Sequence, residues 1–129
     1  VVRGDFHSIV IGNDTNIQDG AIIHCAYKKA STIIGDKVSI AHGAIVHGCT
    51  IEDNVLVGMG AIIMDDAIIK SGSVIAAGAI VLPGTVVENN TIWAGCPAKK
   101  VKDTGEEMLA VIERTAKNYP MYSKWYTKK

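Results

Sequence analysis

The sequence predicts an all-β solenoid, a parallel β-helix of hexapeptide repeats followed by a C-terminal α-helix. Three observations predict it. Aliphatic residues recur at every sixth position through Ile51, Val57, Ile63, Ile69, Ile75, Val81 and Val87, with Trp93 closing the series. Four residues after each stands a small or β-branched residue (Val55, Ala61, Ala67, Ser73, Ala79, Thr85, Thr91), which gives two inward positions per unit of six. Beyond Thr104 the apolar spacing becomes that of a helix. No helix or ordinary strand has a period of six. Three short strands per triangular coil do, and about eighteen residues then return the chain to its starting column, one strand spacing of about 4.8 Å further along.

The elements follow in order. The chain opens Val1-Val2-Arg3, strand-like from its first residue, so it is expected to begin partway through a coil, with upstream coils covering the exposed backbone edge. The phase runs through Ile11, Ile17 and Ile23 and then breaks: eleven residues separate Ile23 from Ile34, which predicts an irregular segment around Ala26-Tyr27-Lys28-Lys29-Ala30. Ile34, Ile40 and Val46 resume it. Only five residues separate Val46 from Ile51, which predicts a tightening at His47-Gly48-Cys49. Both breaks lie beside histidines, and departures from a solenoid repeat map to loops, where function concentrates. After Trp93, Ala94-Gly95-Cys96-Pro97-Ala98 reads as a turn. From Thr104, residues Met108, Leu109, Val111, Ile112, Thr115 and Ala116 fall at helical spacing; Glu106 and Glu107 favour a helix start by facing the positive end of its dipole. Pro120 is expected to interrupt or end that helix. The division is therefore residues 1–98 as the β-helix and residues 99–129 as the C-terminal helix. That helix cannot bury its face alone and must pack on the side of the prism, its own or a neighbour's.

With 129 residues, 48% of them apolar, the chain can bury the core of one domain. Seven aromatic residues suit a narrow interior filled by Ile, Val and Ala. Thirteen basic side chains balance thirteen acidic ones, so nothing favours a nucleic-acid partner or an anionic membrane. No apolar run reaches membrane-spanning length and no signal peptide opens the chain; the expectation is a cytoplasmic protein. Cys25, Cys49 and Cys96 are odd in number and scattered, which argues against a disulfide framework. Cys25 and Cys49 flank the histidines but read as small packed side chains.

His24 and His42 are eighteen residues apart, read as one full coil, and His47 follows within the next half-dozen residues. In the hexapeptide register His24 and His47 take the second position and His42 the third, positions that face outward. Three outward imidazoles in one patch are the expected arrangement for a divalent metal held by three histidines with an open place for water; unrelated surface histidines are the alternative. His7, in the turn Asp5-Phe6-His7-Ser8, reads as a solvated loop residue. Asn16 and Gln18, two apart on a strand, point the same way and form a polar shelf. Taken alone, Arg3-Gly4-Asp5 is a turn with a surface ion pair.

Arg3-Gly4-Asp5, Asn16-Ile17-Gln18-Asp19 running to Ile23-His24, Ile40-Ala41-His42, His47-Gly48-Cys49-Thr50-Ile51, Val57-Gly58-Met59-Gly60-Ala61 and Trp93-Ala94-Gly95-Cys96-Pro97-Ala98-Lys99-Lys100, in this order, resemble the γ-class carbonic anhydrase family over nearly the whole chain. The resemblance implies a left-handed β-helix, an exception to the right-handed crossover rule. It implies a homotrimer with one divalent metal per subunit at the interfaces, zinc first, with iron or cobalt as alternatives because imidazole suits all three. His24 and His47 would ligate from one subunit and His42 from its neighbour. Arg3 and Asp5 match the family's interface ion pair, Gln18 and Asn16 match residues that orient the water and the substrate, and Tyr119 matches a tyrosine of the C-terminal helix that approaches the site. Such a metal lowers the pKa of bound water to about 7. The resulting hydroxide would attack carbon dioxide to give bicarbonate, with Gln18 hydrogen-bonding the nucleophile or the developing anion. The family's best-characterised form has an acidic loop that carries the proton away. Here the matching stretch, Tyr27-Lys28-Lys29, is basic, and Phe6 stands where that form has an acid. Other classes compatible with the sequence are a hydrolase such as an acyl-CoA thioesterase, a hexapeptide acyltransferase, and a non-catalytic scaffold.

Overall fold

In the computed structural model, which describes residues 1–127, the six-residue period becomes a left-handed parallel β-helix with a C-terminal helix. The first coil carries β1 (Ile9–Ile11), β2 (Asn16–Ile17) and β3 (Ile22–His24), and the second β4 (Thr32–Ile34), β5 (Ser39–Ile40) and β6 (Ile45–His47). The third carries β7 (Thr50–Ile51), β8 (Leu56–Val57) and β9 (Ile62–Ile63), and the fourth β10 (Ile68–Ile69), β11 (Val74–Ile75) and β12 (Ile80–Val81). Then come β13 (Val86–Val87), β14 (Thr91–Ala94), β15 (Lys99–Asp103) and the helix α1 (Glu106–Thr127). Stacked coils make three sheets: β1-β4-β7-β10-β13, the first; β2-β5-β8-β11-β14-β15, the second; and β3-β6-β9-β12, the third.

Pairing is parallel from coil to coil, and its register shows what the two breaks in the period do. Ile11 pairs with Ile34, Ile17 with Ile40 and Ile23 with Val46, twenty-three residues apart. In the next step Ile34 meets Ile51, Ile40 meets Val57 and Val46 meets Ile63, seventeen apart. Above that the spacing is eighteen, as in Ile51 with Ile69 and Ile75 with Trp93. The five extra residues are extruded at the corner after β3. Ala26 N donates to Ala30 O at 3.0 Å and closes the extrusion, leaving Tyr27, Lys28 and Lys29 outside the prism. The one-residue deficit is absorbed at Gly48, where φ is +59°.

Because both inward positions of each unit are apolar or small, the interior is a stack of closed layers. Ile23, Ile34, Ile40, Val46, Ile51, Val57, Ile63, Ile69, Ile75, Val81 and Val87 are all buried, with Val38, Ala44, Val55, Ala61, Ala67 and Ala79 filling the second inward position. Burying each Ile or Val contributes about 1.5–3 kcal/mol. On the outer face of the second sheet, Val74 and Ile92 take Ile112 of α1, with Leu56 and Met108 beside them, so the helix packs on its own prism. The outer face of the third sheet carries the column Ile22, Ile45, Ile62 and Ile80, with Ile22 exposed.

Two features differ from the sequence expectation. Residues 99–103 form β15, antiparallel to β14, before the helix begins. Pro120 lies inside α1 and does not end it. Its missing N–H removes one helical hydrogen bond, the one to the Ala116 carbonyl. Beyond it Tyr119, Tyr122 and Trp125 stack successively, with ring centroids 5.4 and 4.9 Å apart, and hold the last turns in line. Among the described residues no helix is long and apolar enough to cross a membrane.

Candidate metal centre

Polar side chains collect at two corners of the prism, one at each end of the third sheet. His24 ends β3 and His47 ends β6, and the two are register partners. Side chains alternate along a strand, so with Ile23 and Val46 inward the next residues project outward, and parallel pairing stacks them. His24 Nδ1 and His47 Nε2 are 3.2 Å apart. Each ring's other nitrogen meets a carboxylate: His24 Nε2 is 2.9 Å from Asp5 Oδ1, and His47 Nδ1 is 2.5 Å from Asp65 Oδ1. Asp5 Oδ2 accepts a hydrogen bond from Arg3 Nη1, within the same chain. The hydrogen bond from His24, reinforced by Arg3, holds the Asp5 carboxyl below its ordinary value.

The backbone under this cluster is tied tightly. Thr32, fully buried, donates its hydroxyl to the His24 carbonyl and accepts from Gly48 N at 2.9 Å. Arg3 N donates to Ile23 O, so residues 1–3 extend the third sheet past β3 and bring Asp5 over His24. Phe6 stacks 5.0 Å from the His24 ring and 5.4 Å from Tyr27, which puts an apolar cover on this side of the cluster.

At the other corner, between the second and third sheets, Ile17 pairs with Ile40, which sets Asp19 beside His42. His42 is half exposed, its Nδ1 3.7 Å from Asp19 Oδ1. Asn16 Nδ2 donates to Ser39 Oγ at 2.8 Å, and Gln18 Nε2 donates to Asn16 Oδ1 at 3.0 Å. Tyr119, on α1, borders a groove of about 690 Å³ that Asn16 and Asp19 also line.

The sequence reading placed three outward histidines in one patch, on the ground that eighteen residues make one coil. The structure corrects it. The five extruded residues fall between His24 and His42, so the register partner of His24 is His47 and His42 sits at the other corner. Among the described residues no three His, Cys, Asp or Glu side chains of one chain surround a common metal position. His24, expected at the surface, is only 8% exposed because Asp5, Phe6 and His47 cover it. The shelf of Asn16 and Gln18 forms, but Gln18 is nearly buried in it. His7 is an exposed loop residue. Cys25 and Cys49 are buried, and burial pushes the Cys49 thiol up to about 12. The residue the sequence reading missed is Asp65. Val46 pairs with Ile63, so Asp65 lies one position beyond the register partner of His47, at the same corner one coil on; an acid there was a legible signal.

Residues 48–83 match the bacterial transferase hexapeptide family, six repeats. The chain is 49% identical over 119 residues to a probable carbonic anhydrase of Methanocaldococcus jannaschii, a match covering 92% of this chain and 74% of that protein. It is 40% identical over 124 residues to the mitochondrial gamma carbonic anhydrase 2 of Arabidopsis thaliana, covering 92% of this chain and 45% of the relative; the chain thus spans less than half the length of that plant protein. Among solved structures, a hexapeptide transferase family protein from Anaplasma phagocytophilum superposes with a TM-score of 0.92 at 40% identity, covering 97% of this chain and 73% of that one. A putative acetyltransferase from Bacillus cereus gives 0.93 at 35% identity, covering 96% and 72%.

Proposed function

We propose that this chain, which belongs to the γ-class carbonic anhydrase family, is the subunit of a metal-dependent enzyme for the reversible hydration of carbon dioxide to bicarbonate, its centres completed between neighbouring subunits of a homotrimer. One observation carries the reading: a pair of imidazoles stands at one end of a sheet and a third imidazole beside an amide shelf at the other, an arrangement in which the two corners would complement each other across a subunit interface.

The donor set fits a first-row divalent ion. Two nitrogens, each about 2.0–2.1 Å from a tetrahedral ion, lie about 3.3 Å apart. His24 Nδ1 and His47 Nε2 are 3.2 Å apart, and their outer nitrogens are engaged by carboxylates, as the outer nitrogens of metal-ligating histidines are. One chain offers two donors, so the third would be His42 of the partner subunit. An all-imidazole set accepts zinc, iron or cobalt. When bound, the ion supplies Lewis acidity that lets water act as a nucleophile near neutral pH.

The remaining work falls to the chain's own residues. Arg3 holds Asp5, and Asp5 holds the His24 ring. Ser39 and Asn16 fix the Gln18 amide, whose Nε2 is turned to Asn16; its other N–H and its carbonyl are left to orient the attacking water and to hydrogen-bond the charge developing on the carbon dioxide oxygens. Tyr119 borders the same shelf from α1 and would face the substrate side. Phe6, itself in ring contact with Tyr27, covers one face of the His24 ring. Tyr27, Lys28 and Lys29 carry no carboxylate, so the released proton passes to solvent or buffer.

A second reading, acyl transfer or thioester hydrolysis at the same place, draws support from the transferase and acetyltransferase descriptions of the solved relatives. Elemental analysis joined to a carbon dioxide hydration assay separates the two. The expected result is one divalent ion per chain and hydration that disappears in His42→Ala together with the metal. Full metal occupancy in His42→Ala, or a metal-free protein that transfers acyl groups, would overturn the proposal.

A further inference from the structure

Asp65 stands on the corner turn after β9, about a quarter exposed, with Oδ1 2.5 Å from His47 Nδ1. An ionised carboxylate can only accept, so the proton in this contact belongs to His47 Nδ1. In the neutral ring that leaves the lone pair on Nε2, the nitrogen that faces His24.

The backbone is shaped to allow the contact. A Cβ at position 48 would come within 2.6 Å of Asp65 Oδ1 and 3.2 Å of its Cγ, and the φ of +59° there already favours glycine. Asp66 N donates to Gly48 O at 2.8 Å and ties the two corners together one coil apart. Ile45, Ile62, Met64 and Pro83 line a surface groove together with His47 and Asp65, and their apolar side chains limit solvent on one side of the charge-assisted bond.

We infer that Asp65 is a positioning residue of the metal centre: it fixes His47 as the Nδ1–H tautomer and aims Nε2 at the point that His24 Nδ1 also faces, as Asp5 holds the other ring from Nε2. This rests on the metal reading above. Removing a carboxylate that holds a ligating histidine typically lowers metal affinity about tenfold to a hundredfold.

The test compares the full chain with Asp65→Ala and Asp65→Asn in three measurements: melting temperature without metal, zinc affinity by competition with a chromophoric chelator, and the nitrogen-15 spectrum of His47 in the metal-free protein at mildly alkaline pH. Asp65→Ala should bind zinc about tenfold to a hundredfold more weakly and shift His47 toward the Nε2–H tautomer. Asp65→Asn retains an acceptor without the charge, so it should keep the Nδ1–H tautomer and bind zinc with intermediate affinity. A role confined to stability would lower the melting temperature and leave the tautomer unmoved, which overturns the inference. So does zinc binding in Asp65→Ala at wild-type strength. If Asp65→Ala does not fold, Asp65→Asn decides alone: weaker binding supports the inference and unchanged binding overturns it. A wild-type protein that takes up no zinc, iron or cobalt refutes the metal reading, and the His47 tautomer then decides by itself whether Asp65 orients the ring.

Discussion

Mixing two inactive variants should restore part of the activity, because the proposed half-sites lie at opposite corners of one chain. His24→Ala destroys the corner that carries His47 and leaves His42 intact; His42→Ala does the reverse. In a cyclic trimer each interface joins one corner of a subunit to the other corner of its neighbour. Pure trimers of either variant therefore have no complete centre. A trimer holding two chains of one variant and one of the other always has a single interface in which the surviving corners meet, so about one third of its centres are intact. The variants would be given different affinity tags, unfolded, mixed and refolded, and the doubly tagged trimers isolated. Their metal content and hydration rate should both reach about one third of the wild-type value, against near zero for each parent. Doubly tagged trimers that recover neither would mean that no centre is built from corners of different subunits, and the arrangement proposed here would be wrong.

Three other outcomes follow from the same structure. Gln18→Ala should keep its metal and lose about 10²-fold in hydration rate if Gln18 addresses the nucleophile and not the ion, as proposed; metal content and turnover measured on one sample check it. Cys96 should react with a thiol reagent in the native protein while Cys25 and Cys49 react only after denaturation. Burial excludes the reagent from both, and raising the Cys49 thiol from 9.0 to about 12 cuts its thiolate about a thousandfold. Ile63→Ala should cost about 2–5 kcal/mol in urea unfolding, because Ile63 is fully enclosed between Val46 and Val81 in its column, and should leave hydration per folded molecule unchanged.

The columns of the prism were legible because a period of six has no other regular explanation, and the breaks at residues 26–30 and 47–49 were legible as departures from it. What the spacing alone did not yield was the effect of the first break on everything that spans it. A separation of eighteen residues equals one coil only where no residue is extruded, and between His24 and His42 five are. The stacking of His24 on His47 was hidden in a separation of twenty-three that matches no multiple of the repeat. Asp65 was missed for a related reason: its contact is made between coils, and the five-residue step after Val46, though read from the sequence, was not carried through to the seventeen-residue register that sets Asp65 beside His47. Pro120 was over-read: α1 runs through it despite the hydrogen bond it cannot make, with Tyr119, Tyr122 and Trp125 in ring contact along the same stretch.

The extruded turn at Tyr27, Lys28 and Lys29 gives the molecule a place to vary cheaply. Its base is closed by the Ala26–Ala30 hydrogen bond, and the ladder of the prism resumes beyond it in register. Additions, deletions and changes of charge between those two alanines therefore leave the layers above and below untouched. Yet Tyr27 reaches Phe6, and Phe6 lies on His24, so a change of sequence there is felt within two side-chain contacts of the candidate centre. Evolution, or an engineer, can exchange the side chains presented at this corner as a cassette, so that what the corner contacts changes separately from how the prism folds.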